Sequence, residues 1–214
     1  MEFSFMLVVV IVLAYLLGSI PTAVWVGKIF HGIDVREHGS GNAGATNTIR
    51  VLGYKSGIPV LIIDMLKGYI AVTLSDFFAQ SFSEHSFSGL QILLGIIAVV
   101  GHIWPLFAGF KGGKGVATMF GVLMALQIYP TLIGIAVFLI CLFITRYVSV
   151  SSMAAGISFP ISVYFIEGFQ LWPLTIFALL IPFLFIYTHW SNIQRLRKGE
   201  ESKADFLFKK KNAE

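Results

Sequence analysis

The chain has 214 residues, of which 57% are hydrophobic and 12% charged, with a formal net charge of +4 and a mean hydropathy of +0.84. A soluble domain carries about 25% charged residues, so this balance excludes an ordinary soluble protein and describes a polytopic membrane protein. The single cysteine, Cys141, sits in the apolar stretch FLICLFIT, which excludes an intrachain disulfide and leaves it a packing role.

Apolar segments near 4–27, 57–79, 88–108, 115–129, 131–145, 153–166 and 171–188 predict an all-α bundle of seven transmembrane helices. The first begins with Met1 and Glu2, has no basic residue ahead of it and is too long for a secretory signal, so it reads as a retained span. The run from 116 to 145 has Pro130 in its middle and is either one tilted span or a hairpin of two short ones. Charge decides between them. Read as a hairpin, all basic residues fall on one side: Lys28, Arg36, Arg50, Lys55, Lys67, Lys111, Lys114, Arg146 and the tail. Residues 80–88, the surroundings of Pro130 and residues 167–172, on the other side, contain neither Lys nor Arg. The positive-inside rule then puts the N-terminus outside and the C-terminus in the cytoplasm. Residues 1–204 are expected to form one domain and 205–214 a basic cytoplasmic tail.

Three polar clusters lie on the predicted cytoplasmic side. In HGSGNAGATNTIR, from His38 to Arg50, Gly39, Gly41 and Gly44 permit close backbone approach, Ser40, Asn42, Thr46 and Asn47 add neutral donors, and Arg50 adds a planar fork. The composition is that of an anion nest; a polar turn between two helices is the plainer alternative. The G-x-G-x-x-G spacing is not a dinucleotide fingerprint, because no strand can precede it in a helical membrane chain. The second cluster, GHIWPLFAGFKGGKGVAT, places His102, Lys111 and Lys114 around the flexible pair Gly112 and Gly113. Lys114 is followed by Gly115 where a P-loop requires Ser or Thr, which excludes nucleotide hydrolysis of that type. The third, HWSNIQRLRKGEE, offers His189 and Asn192, three apart and on one face of a continuing helix.

Within the second span, Asp64 and Lys67 are spaced i, i+3 and read as an internal ion pair or, for Lys67, as part of the site. Arg146 closes a further turn and is ambiguous in the same way. The cations and glycine nests suit phosphorylated substrates. No H-E-x-x-H, clustered Cys or His, or G-x-S-x-G is present, and no histidine is followed five residues later by Asp. Metal, nucleic acid and covalent serine chemistry are therefore not expected. A transporter for a small phosphorylated anion, or a lipid-binding scaffold, would share the spans. The first lacks support in the cation-free outer face, and the second does not explain the glycine nest.

In order and flanking, GSGNAGATNTIR, GHIWPLFAGFKGGKGVAT and HWSNIQRLRKGEE resemble the three signature regions of the bacterial acyl-phosphate:glycerol-3-phosphate acyltransferases, the PlsY family. The resemblance covers nearly the whole chain. It implies a seven-span enzyme of the bacterial plasma membrane that moves an acyl chain from acyl phosphate to the 1-hydroxyl of glycerol 3-phosphate, functional as a monomer and without a cofactor. On that reading Ser40, Gly41, Asn42, Gly44 and Thr46 cradle the acyl-phosphate group, and Asn47 or Asn192 holds the oxyanion. Arg50 with Lys111 or Lys114, and Lys67 if it reaches the site, holds the phosphate of glycerol 3-phosphate. His189 is the candidate protein base, with a substrate phosphate as the alternative.

Overall fold

The computed structural model describes residues 2–168 and 170–205, so the basic tail lies almost wholly outside the described residues. Among the described residues every regular element is helical. Ten α-helices follow one another: α1 (Glu2–Ser19), α2 (Thr22–His31), α3 (Ala45–Leu52), α4 (Tyr54–Thr73), α5 (Glu84–Ile103), α6 (Val116–Leu126), α7 (Ile128–Thr145), α8 (Val148–Glu167), α9 (Trp172–Thr188) and α10 (Trp190–Lys198). Among the described residues, four segments are long and apolar enough to cross a membrane, and six if each of two bent pairs counts as one span.

The seven expected segments all become helical, with two differences. The run read as 4–27 breaks at Ile20 and Pro21, and its halves meet at 46°. The proline explains the break, since it disfavours helical backbone in the residue before it and supplies no amide hydrogen. The second break falls at Gln127, in extended backbone, not at Pro130. Pro130 is the third residue of α7, where its missing N–H has no intrahelical partner to lose. α6 is thereby left with 11 residues.

The chain divides into two compact units, Met1–Ile128 with Phe169–Phe177, and Tyr129–Gly168 with Ala178–Glu214. In the first, α4 packs mainly on α6 and α1 on α5. Both contacts bring backbones together through glycine. A β-carbon on Gly121 would strike the Met65 carbonyl, one on Gly68 that of Thr118, and one on Gly18 that of Ala98. Small residues drive helix association in lipid because apolar side chains gain nothing by leaving it. In the second unit, Gly156 of α8 admits the Phe185 ring of α9. Phe143, Phe165 and Phe183 stand about 70–80% exposed, as lipid-facing side chains do.

Candidate functional site

The first glycine loop is organised by one amide. After α2 stops at left-handed Gly32, a single 3₁₀ turn at Val35–Glu37 leads into Gly39 and Gly41, both with positive φ, and Gly44 opens α3. Asn47, in the first turn of α3, is 1% exposed. Its Oδ1 accepts from the Ser40 amide at 2.8 Å and from Ser40 Oγ at 3.1 Å, while its Nδ2 donates to the carbonyls of Val35 at 2.8 Å and His38 at 3.0 Å. Both amide protons of Asn47 are therefore occupied by the loop. Asn47 as an oxyanion donor is corrected to a scaffold residue, because a buried amide with two carbonyl partners has no proton left to offer. Its bonds leave Ser40 and Gly41 exposed and Asn42, Gly44, Thr46 and Arg50 partly exposed, with Arg50 Nη1 at 3.5 Å from Asn47 Oδ1.

The second loop leaves α5 through Pro105 and a 3₁₀ turn at Leu106–Ala108, then passes through Gly109 and Phe110, at φ 64° and 59°. It returns to the end of α5, with Gly112 N donating to Ile103 O at 3.1 Å and Gly113 N to His102 O at 3.2 Å. Gly112 and Gly113 are not the flexible pair expected. A β-carbon on Gly112 would meet the His102 carbonyl, and one on Gly113 would meet His102 Nε2 and lie 3.0 Å from the Ala43 carbonyl. The two glycine loops thus meet at Ala43 and Gly113, with Lys111 exposed and Lys114 partly buried beside them.

Beneath that junction a small pocket is lined by Thr22, Ala43, Asp64, Lys67, His102 and Gly113 among others. Lys67 is 3% exposed. Its Nζ lies 2.9 Å from Asp64 Oδ1 and donates to the Ile20 carbonyl at 3.0 Å, at the break between α1 and α2. Thr22 Oγ1 donates to the same carboxylate oxygen at 3.1 Å, and His102 Nδ1 lies 3.1 Å from Thr118 Oγ1. The ion pair expected of Lys67 and Asp64 is formed. Lys67 also lines the pocket at the junction of the two glycine loops.

In the second unit the helix does not continue through the third cluster. α9 and α10 meet at 56°, and His189 stands at the joint as the residue before α10, so the expected shared helical face of His189 and Asn192 is replaced by a bend. His189 Nδ1 is 2.8 Å from the Phe185 carbonyl. A carbonyl only accepts, so Nδ1 carries the proton and the lone pair of the neutral ring is on Nε2. Asn192 donates to Glu201 Oε1 at 2.6 Å, Ser149 Oγ to the same oxygen at 2.8 Å, and Arg195 Nε to Glu201 Oε2 at 2.8 Å. Burial raises the Glu201 pKa, but the hydrogen bonds from Asn192, Ser149 and Arg195 outweigh it and hold the carboxyl below its ordinary value. Glu201 is the residue that sequence reasoning missed; its only signal was a carboxylate at the end of a cationic motif.

Apolar helices ending in glycine-rich polar loops that carry backbone amides, hydroxyls and cations define an integral membrane protein. Residues 8–199 match the family model described as glycerol-3-phosphate acyltransferase. The chain is 40% identical to the glycerol-3-phosphate acyltransferase of Chlorobium limicola, covering 94% of this chain and 97% of the relative. It is 44% identical to that of Listeria monocytogenes, covering 94% and 98%. Among solved structures it resembles crystal structures of PlsY, an integral membrane glycerol 3-phosphate acyltransferase, in glycerol 3-phosphate and lysophosphatidic acid forms. Each has 38% identity, a TM-score of 0.80 and coverage of 95% of this chain and 99% of the other. The chain belongs to the glycerol-3-phosphate acyltransferase family.

Proposed function

We propose that the protein transfers an acyl chain from acyl phosphate to the 1-hydroxyl of glycerol 3-phosphate, releasing 1-acyl-glycerol 3-phosphate and phosphate. The observation that carries this is the meeting of two glycine-rich, cation-bearing loops at Ala43 and Gly113 in a chain of this family. Both substrates bear phosphate, which the exposed Ser40 and Gly41, the amides at the start of α3 and the cations Arg50, Lys111 and Lys114 suit.

In the step itself the acceptor oxygen bonds to the acyl carbon, the carbon–oxygen bond to phosphate breaks, and phosphate leaves with the electron pair. The acceptor proton passes to His189 Nε2 or to a phosphate oxygen of the substrate. An acyl phosphate is already activated, so the reading requires no cofactor. Ser40, Gly41, Asn42, Gly44 and Thr46 cradle the donor phosphate, and Arg50 with Lys111 or Lys114 binds the acceptor. Asn192 supports the oxyanion and Asn47 shapes the loop. The reading places seven spans in the bacterial plasma membrane, with the N-terminus outside, the site facing the cytoplasm, residues 1–204 as one catalytic domain and a single chain as the working unit.

The test is phosphate release by purified protein from palmitoyl phosphate, with and without glycerol 3-phosphate. Acceptor-dependent release that yields lysophosphatidate and collapses in Arg50→Ala supports the reading; no release from folded protein overturns it. His189→Ala then separates the two proton acceptors. A loss of about 10² or more assigns the proton to the imidazole, and a loss within about tenfold assigns it to substrate phosphate.

A further inference from the structure

Arg36 lies just ahead of the first sequence motif and bridges the two loops. Its Nε donates to Asp34 Oδ1 at 2.9 Å and its Nη2 to Asp34 Oδ2 at 2.7 Å, while Asp34 Oδ1 also accepts the Arg36 amide at 3.0 Å. Lys28 Nζ adds a contact to Asp34 Oδ2 at 3.2 Å. The guanidinium plane is thus held at one edge by a bidentate pair, which fixes its direction as well as its charge. The remaining nitrogen, Nη1, points across to the second loop and donates to the carbonyls of Ala108 at 2.9 Å and Lys111 at 3.1 Å.

Those two carbonyls bracket Gly109 and Phe110, the consecutive residues with positive φ. Left-handed backbone at a bulky residue such as Phe110 is unfavourable and persists only where surrounding bonds determine it. The Phe110 amide bonded to Pro105 O at 2.9 Å supplies one such bond, and the Arg36 fork supplies the other two. Lysine cannot replace this arrangement, because a point charge does not reach a carboxylate and two carbonyls in fixed directions.

We propose that Arg36, locked on Asp34, is a positioning residue for the acceptor: it holds the 108–111 turn and so sets Lys111 for the phosphate of glycerol 3-phosphate. The proposal rests on the reading that this loop binds the acceptor. The test is steady-state kinetics of Arg36→Lys, with each substrate varied in turn and the melting temperature in detergent measured alongside. The expected result is a KM for glycerol 3-phosphate raised about tenfold, the size of one lost charged hydrogen bond. The KM for palmitoyl phosphate, kcat at saturating acceptor and the melting temperature stay near wild type. Asp34→Asn, which unlocks the guanidinium without removing it, is expected to shift KM in the same direction and keeps the test alive should Arg36→Lys fold poorly. Unchanged KM for the acceptor in both variants would overturn the proposal, as would equal losses for both substrates accompanied by a lower melting temperature. Lys111→Ala is the separating arm. If it leaves the acceptor KM unchanged while Arg36→Lys raises it, the Lys111 assignment fails and the positioning role stands; the reverse pattern removes the positioning role alone.

Discussion

Lys67 and Asp64 show how a single pair of charges can be assigned by mutation. Removing one partner of a buried pair costs about 3–5 kcal/mol, whereas replacing both by apolar residues of similar size is close to neutral. Lys67→Met is therefore expected to lower the melting temperature sharply, and Asp64→Leu with Lys67→Met to recover most of it together with most of the activity. A double variant that is stable but inactive would assign Lys67 to the substrate as well. Glu201 makes a prediction about pH. A carboxyl held below its ordinary value by its partners stabilises the fold above that value, and the stabilisation disappears as pH falls through the lower folded value. Limited proteolysis around residues 199–205 should thus be insensitive between pH 7 and about pH 5 and rise in stronger acid, while Glu201→Gln should be cleaved readily at neutral pH. At this scale the donor-rich motifs were legible in the sequence, but their direction was not. Asn47 reads as one more amide in a polar run, and only the fold of the loop turns both its protons onto the carbonyls of Val35 and His38.

Helices were the most legible level, because long apolar runs admit few alternatives. Their breaks were less so. Pro21 is a visible breaker, yet the apolar residues continue past it and conceal the joint, whereas Pro130 is conspicuous and sits harmlessly at a helix start. The contact between α4 and α6 gives the element-scale prediction. Gly121→Val must force its side chain onto the Met65 carbonyl, and overpacking of this kind typically costs about 1–3 kcal/mol, more where the obstacle is backbone. The expected outcome is a large fall in the melting temperature and in the yield of monodisperse protein. Gly89, which has open space around it, should accept alanine without such a change.

For the molecule as a whole, topology is testable by labelling. With Cys141 replaced by alanine, a cysteine at Ser83 is expected to react with an impermeant maleimide added to intact cells, and one at Lys203 only after the membrane is opened. The opposite pattern would invert the orientation. The family and its chemistry were legible in three motifs in register. The clasp that ties the third motif was not, since Glu201 finds Ser149 across 52 positions of sequence. That clasp also decides where the chain can be cut. Ala204 N donates to the Arg146 carbonyl at 2.7 Å, and Lys203 lies over the Tyr147 ring. A protein shortened to end at Asp205 retains every one of these ties. One ending at Lys198 keeps all ten α-helices yet loses Glu201 as a partner of Asn192, so a truncation of seven further residues, none of them in an α-helix, separates a tethered third motif from an untethered one.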